Sequence, residues 1–234
     1  MKLSRRLETI ISMVLPCRTA ADIGCDHGFT AIRLIENGTA RSAVCSDIGE
    51  GPLKRAREHI CQAGLSKKIG CRKGNGLSTL QPGEADCVII AGMGGMLISG
   101  ILKEGREILA GVSELILSPH TEIPLVRETL ENLNFRIDAE KMAAEDGKYY
   151  TVIRAVPGRM HLSDLEKSFG PCFLRERDEV FLSWVGYEIG LNREVADALK
   201  NTASSSGTAA REQRIRKIHE LTMVLEGQYD SCTD

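Results

Sequence analysis

Between Thr19 and Val156, short apolar or β-branched runs alternate with amphipathic stretches, a rhythm that leaves few folds open. Strands joined by crossover helices into a mostly parallel sheet produce that alternation, so the class is α/β. A first strand at TAADIG precedes a helix near Phe29 to Asn37, which Gly38 ends, and a second at RSAVCSD precedes EGPLKRAREHICQA. Pro52 suits a first helical turn and Gly64 a C-terminal cap. The third strand is KIGCRK, the fourth ADCVIIAG with a helix from GGMLISGIL, the fifth ELILSP with a helix from IPLVRETLENL. FRIDAEKMA and KYYTVIRAV follow, separated by the turn-prone EDGK, which predicts an antiparallel hairpin closing the sheet.

Composition shifts after Pro157 and Gly158 to charged helical sequence, so the expected domains are 1–158 and 159–234. In FLRERDEVFLSWVGYEIGLNREVADALK, Leu174, Val180, Phe181, Trp184, Val185, Leu191, Val195 and Leu199 recur at helical intervals, and the run reads as one helix that Gly186 and Gly190 can bend. TASSSGT separates it from AAREQRIRKIHELTMVLEG, whose Ile215, Ile218, Thr222 and Leu225 repeat the pattern, predicting an antiparallel helical hairpin.

Charge and cysteine usage narrow the function classes. Thirty basic against 32 acidic side chains exclude blanket attraction to a polyanion but allow a local basic face. Residues 1–160 hold 21 basic and 19 acidic groups, residues 161–234 hold 9 and 13, so the first part is the better polyanion surface. Eight cysteines form no CxxC pair, which disfavours a zinc site or a disulfide framework and predicts no metal. No run reaches the roughly 18 apolar residues of a spanning helix, and Glu8 and Ser12 interrupt the opening MKLSRRLETIISMVL, so a cytoplasmic protein without membrane association is expected.

The chemistry concentrates at predicted strand ends. Asp22-Ile23-Gly24-Cys25-Asp26-His27-Gly28 turns from a strand into a helix, with Gly24 and Gly28 freeing the backbone to approach a ligand. A dinucleotide pyrophosphate would meet Asp22 and Asp26 there, whereas the ammonium and sulfonium of S-adenosylmethionine would be attracted by them. A turn whose carboxylates cap the backbone is the plain alternative. Asp47, followed by Ile48, ends the second strand 23 residues beyond Gly24, a spacing suited to ribose hydroxyls, although Asp is also a common helix N-cap. Gly74-Asn75-Gly76 follows the third strand with an amide that suits an adenine edge, and alone is also a turn. Ala91-Gly92-Met93-Gly94-Gly95 ends the fourth strand with exposed amides and little bulk, the place for a second substrate.

With KLSRRLETI, ADIGCDHG, KGNGL, IIAGMGG, EDGKYY and FGPCFL in view, the chain closely resembles, over nearly its whole length, the bacterial tRNA (adenine-N1) methyltransferases that modify adenine 22. The resemblance implies a class I methyltransferase fold, Rossmann-like with a seven-stranded mostly parallel sheet, followed by an antiparallel helical hairpin. It implies S-adenosylmethionine as cofactor, tRNA as partner, and cofactor contacts by Asp22, Gly24, Asp26, His27, Gly28, Asp47, Asn75, Gly92 and Met93. Where the family commonly has Gly-Asp-Gly, this chain has Asn75. An amide still accepts through oxygen and also donates, so activity is expected to survive.

Attack by ring N1 uses an in-plane lone pair, and no (Asp/Asn)-Pro-Pro-(Tyr/Phe) element of the kind used on exocyclic amines follows the fourth strand. Gly92, Met93 and Gly94 are therefore expected to shape the reacting pocket, with Asp26 a candidate to stabilise the cationic product and His27 bracing the loop. His120 can position the base or fill a core edge. Phe29, Tyr149 and Tyr150 are candidate stacking platforms, and Arg5, Arg6, Lys54, Arg55, Arg57, Lys67, Lys68, Arg72 and Lys73 candidate phosphate contacts, as are Arg211, Arg214, Arg216 and Lys217 in the tail. Methylation of a small molecule and a non-catalytic adaptor role remain the competing readings, since fold does not fix function.

Overall fold

The structure, a computed structural model, describes residues 3–200 and 205–229. Ser4 starts the first helix by accepting from the Leu7 N–H at 3.2 Å, and α1 (Arg5–Met13) buries Ile10, Ile11 and Met13. The opening segment, which carries Arg5 and Arg6, is thus part of the core. The alternating pattern then gives β1 (Cys17–Ile23), α2 (Phe29–Glu36), β2 (Ala40–Asp47), α3 (Glu50–Gln62) and β3 (Ile69–Lys73), with a short 3₁₀ turn at Gly76–Thr79. After it come β4 (Cys87–Met93), α4 (Gly95–Glu104), α5 (Arg106–Leu109), β5 (Glu114–Pro119), α6 (Ile123–Asn132), β6 (Phe135–Glu145) and β7 (Lys148–Pro157).

Among the described residues the sheet has seven strands in the order β3-β2-β1-β4-β5-β7-β6. The first five run parallel, β7 is antiparallel to β5, and β6 is antiparallel to β7, as the hairpin pattern predicts. Asp146 and Gly147, with φ of 50° and 72°, supply the two left-handed residues that a two-residue hairpin turn of matching twist requires. The central strands are apolar on both faces. Val88 and Ile90 join Leu102, Val126 and Leu130 in one core layer, while Cys87 and Ile89 join Ile10, Leu34 and Leu53 in the other.

The chain divides into two compact units, residues 1–172 and 173–234, whereas the composition shift suggested 158. A buried ion pair accounts for the 14-residue difference. Arg127 of α6 donates through Nε to Glu140 of β6 at 2.9 Å, both fully enclosed, and its remaining nitrogens donate to the carbonyls of Lys167, Ser168 and Phe169 at 2.8, 3.1 and 3.3 Å. The Cys172 N–H closes the arrangement on the second Glu140 oxygen at 3.0 Å. Hence α7 (Asp164–Phe169) belongs to the sheet unit, its N-terminus closed by a capping box between Ser163 and Glu166.

Helix α8 (Pro171–Glu176) precedes α9 (Glu179–Ala198) and α10 (Ser205–Glu226). The predicted continuous run from Phe173 breaks at Arg177, whose φ is 51°, because Asp178 caps α9 by accepting from the Val180 and Phe181 N–H groups at 2.9 and 3.0 Å. Gly186 and Gly190 lie inside an unbroken helix. Arg177 donates to the Val224 and Leu225 carbonyls at 2.6 and 2.8 Å, tying the start of α9 to the end of the antiparallel α10. The buried seam is Phe181, Val185, Ile189, Asn192 and Ala196 against Leu221 and Val224, rotated from the predicted stripe so that Leu191, Ile215 and Leu225 are exposed. Ser205 to Thr208 of the expected linker are helical, and Thr202 to Ser204 lie outside the described residues.

Replacing Arg127 by Met leaves the Glu140 charge enclosed without its partner, a defect that costs about 3–5 kcal/mol. A drop in Tm on the order of 10 °C in calorimetry is expected, and a Tm within 2 °C of wild type refutes the role given to the pair.

Candidate active site

Sheet order places the site. Because β2 and β3 lie to one side of β1 while β4 and β5 lie to the other, the connections leave β1 and β4 in opposite directions and open a crevice beyond their carboxyl ends. Ile23, Gly24, Ser46, Asp47, Ile48, Gly74, Asn75, Gly76, Met93, Leu97 and Ile101 line a cleft there of about 100 Å3. The loops around it are stitched together by the backbone. Gly24 and Cys25 N–H donate to the Ser46 carbonyl at 2.7 and 3.1 Å, and Gly74 N–H donates to the Asp47 carbonyl at 3.1 Å.

Of the predicted cofactor residues, Gly24, Asp47, Ile48, Gly74, Asn75, Gly76 and Met93 meet in this cleft. Gly24 has φ of 76°, a conformation that favours glycine, and a β-carbon on it would displace the terminal methyl of Met93, which crosses the turn. Asp47 Oδ1 accepts from the Gly49 N–H at 2.7 Å, and Oδ2 has no partner among the described residues. The carboxylate thus braces the turn into α3 and still offers an oxygen to a ligand hydroxyl. Ser46 Oγ is enclosed without a hydrogen-bond partner beside it.

The other predicted residues lie elsewhere. Asp22 is buried in β1 below the cleft, where burial and then the charge of Asp47 push its carboxyl from 3.8 up to about 7. Asp26, with φ of 41°, is exposed and lies 2.6 Å from Arg55 and 3.3 Å from His27, so its carboxylate is shared with both. Gly28 faces α3, its absent β-carbon leaving room for Ala56, so its smallness serves helix packing. His27 and Phe29 stack at 5.4 Å and Phe29 and His59 at 4.6 Å, a three-ring pile that occupies Phe29 as a platform.

Gly92 and Gly94 flank Met93 in the chain and are not among the residues that line the cleft. Gly94 precedes α4 in extended conformation with Thr121 Oγ1 3.1 Å from the position of its missing β-carbon, and Gly95 donates to the Thr121 carbonyl at 3.0 Å. The β4 and β5 loops are therefore packed glycine to backbone. His120 N–H donates to the Met93 carbonyl at 2.9 Å, holding the two loops together. Leu97, Ile101 and Ser46 are lining residues that sequence reasoning missed. Leu97 and Ile101 are four apart on α4, and that spacing alone does not separate a cleft wall from core.

No helix among the described residues is long and apolar enough to cross a membrane, and no described cluster of His, Cys, Asp or Glu could hold a metal ion.

Comparison with known proteins supplies the class. Residues 3–153 match the family described as a methyltransferase domain. A solved Streptococcus pneumoniae protein with S-adenosyl-L-methionine bound superposes with a TM-score of 0.85, at 33% identity over 96% of this chain and all of that one. The tRNA (adenine(22)-N(1))-methyltransferase of Bacillus subtilis is 32% identical over 97% of this chain and 95% of its own, and the crystal structure of the B. subtilis m1A22 tRNA methyltransferase TrmK gives a TM-score of 0.84. The chain belongs to the tRNA (adenine(22)-N(1))-methyltransferase family.

Two measurements follow. The folded protein holds the Asp22 proton up to about pH 7, whereas the unfolded chain releases it near 3.8, so stability falls as pH rises through that window and the penalty is complete above it. Asp22→Asn should therefore raise the Tm of the ligand-free protein at pH 8, and the gain should vanish near pH 4; a gain independent of pH contradicts the assignment. Gly24→Ala should weaken S-adenosylmethionine binding at least tenfold in calorimetry while circular dichroism stays unchanged, because left-handed strain and the Met93 collision fall on one turn. Undiminished affinity would remove Gly24 from the cleft.

Proposed function

We infer that this chain transfers a methyl group from S-adenosylmethionine to N1 of adenine 22 of tRNA. The observation that carries the reading is the continuity of two places at Met93: its side chain lines the cleft, and its backbone runs directly into the glycine loop at Gly94 and Gly95. A cofactor seated in the cleft supplies an electrophilic methyl at that junction, and the chain's own residues bind and orient. Asp47 suits the ribose hydroxyls, the Gly74 to Gly76 loop with Leu97 and Ile101 the adenine ring, and the Gly24 turn the cationic end. The unpartnered Ser46 Oγ and the second oxygen of Asp47 are polar atoms that such a ligand would satisfy.

The acceptor side supports ring-nitrogen chemistry. The carboxylates at hand are engaged: Asp26 is paired with Arg55, and Glu122, whose Oε2 lies 3.9 Å from the β-carbon position of Gly94, accepts from the Thr121 hydroxyl at 2.7 Å. N1 attacks with a lone pair already in the plane of the ring, so alignment and exclusion of water are what the loop must provide. Lys54, Lys67, Lys68 and Lys73 are exposed on the sheet unit and fit phosphate contacts, whereas Arg57 and Arg72 are bound to Glu50 and Glu84. In the helical unit Arg214 donates to Asn192 at 3.1 Å and Lys217 to Glu220 at 3.0 Å, so part of that basic cluster is engaged internally. We assign the sheet unit to the reaction, the helical unit to holding the tRNA body, and the whole to the cytoplasm, where its substrate is.

The test is methyl incorporation into unmodified tRNA followed by nucleoside mapping, with one N1-methyladenosine at position 22 expected. Methylation at another atom, or of small molecules alone, refutes the reading. Asp47→Ala should weaken cofactor binding about tenfold or more in calorimetry, since a charge-assisted hydrogen bond contributes about 1.5–3 kcal/mol. Unchanged affinity would leave Asp47 as a turn-bracing residue only.

A further inference from the structure

The opening KLSRRL segment has no part in the cleft, yet α1 carries one of its side chains to the edge where the target base must enter. The Arg6 guanidinium lies with both terminal nitrogens 3.7 Å from the position a β-carbon on Gly92 would take. It donates to His120 Nε2 at 2.5 Å and sits over the Tyr150 ring at 5.3 Å, with His120 and Tyr150 themselves 5.9 Å apart. Four elements converge there: α1, the end of β4, the loop after β5, and β7. The backbone holds the arrangement as well, because Arg5 N–H donates to Glu145 Oε1 at 2.9 Å and His120 N–H to the Met93 carbonyl at 2.9 Å. Arginine only donates, so Nε2 must be the accepting nitrogen and His120 must be neutral. Burial and the neighbouring Arg6 and Lys148 charges lower its pKa and favour that form.

Resting on the tRNA methylation inferred above, we propose that Arg6, backed by Tyr150 and held by His120, is the cationic wall of the target-base site, which receives neutral adenine and repels the N1-methylated base. A guanidinium beside an aromatic base is attracted to its π-system and can donate to its ring nitrogens. Methylation removes that attraction. The N1 lone pair becomes the new N–CH3 bond while the S–CH3 bond breaks and leaves its electron pair on sulfur, so the positive charge passes from sulfur to the base and the product faces Arg6 as a like charge. Part of this charge is on the base already in the transition state, so Arg6 does not accelerate the chemical step. Its action is on seating the substrate and discharging the product, and His120 and Tyr150 are positioning residues that keep the guanidinium over Gly92.

The full-length protein tests this through Arg6→Met, which keeps the stem and removes charge and plane. Binding of unmodified tRNA and of the same tRNA carrying N1-methyladenosine at position 22 is measured with S-adenosylhomocysteine present, alongside KM, kcat and inhibition by methylated tRNA. The wild type should prefer the unmodified tRNA by about tenfold, and in Arg6→Met the preference should shrink toward one while KM rises about tenfold, in line with stacking contributions to nucleic-acid binding. Calorimetric affinity for S-adenosylmethionine should stay within twofold of wild type. His120→Ala should show the same changes to a smaller degree, and Arg6→Lys should keep part of the discrimination. An Arg6→Met protein that retains the tenfold preference overturns the proposal, as does one that loses cofactor affinity and Tm together, since that marks a purely structural arginine. A wild-type protein that methylates no tRNA overturns the underlying reading of function instead, and the two failures are told apart by the wild-type assay alone.

Discussion

Strand β1 is the element on which the site depends, because it is flanked by β2 on one side and β4 on the other and its carboxyl end is where the chain's crossovers part. Its register fixes what can meet there. Ile23 is level with Ser46 of β2 and Ile90 of β4, so the turn that begins at Gly24 emerges beside Asp47 and just below the glycine loop after β4. Two backbone donations from that turn to the Ser46 carbonyl then hold the cleft's near wall without any side chain. The strand must be apolar on both faces to occupy this position, and Asp22, enclosed next to the turn, is the exception. Its raised pKa is the consequence of placing a carboxyl at the enclosed end of a central strand, near a second one.

Much of this was legible in the sequence because it follows from local rules. Gly38, Gly64 and Gly147 mark real stops and turns, and the β-branched runs became strands within a residue or two of their predicted bounds. The strand-end glycines with Asp47 and Asn75 converge, as parallel strands demand of residues at corresponding carboxyl ends. What was not legible depends on contacts distant in sequence. Nothing near Asp26 announces that Arg55, 29 residues on, binds it, and nothing near Gly28 shows that Ala56 needs the space. Residues 159–172 read as the start of the helical tail because their composition is charged, yet the carbonyls at 167–169 are the acceptors that Arg127 requires. The break at Arg177 was hidden because Arg favours helix and the capping Asp178 sits within a periodic stretch.

The ion pair of Arg127 and Glu140 shows how the antiparallel end of the sheet is made unique. Desolvating two charges gains little stability over an apolar pair of the same size, but an arginine with five donors and one enclosed carboxylate is satisfied by few arrangements. Here the donors are answered by three consecutive carbonyls, and the carboxylate by a backbone N–H at Cys172. Gly170 is required within that loop, because its φ is 99° and a β-carbon would strike the Glu140 carboxylate. One buried pair thereby fixes where the sheet unit ends.

Charge is distributed across the two halves of the site in opposite senses, and the chemistry explains why. On the β1 and β2 side lie Asp22 and Asp47, suited to a cofactor that is cationic before the reaction and neutral at sulfur afterwards. On the side of α1, β4 and β7 lies Arg6, suited to a base that is neutral before and cationic afterwards. Methyl transfer carries one positive charge from the cofactor to the base, so with the seating proposed above both halves would bind their reactants better than their products. A protein built this way accepts a modest electrostatic cost at the chemical step in exchange for release of both products, and release or lid opening limits the turnover of many enzymes. A neutral His120 is what makes the second half possible, because a protonated imidazole 2.5 Å from the guanidinium would expel Arg6 from the wall.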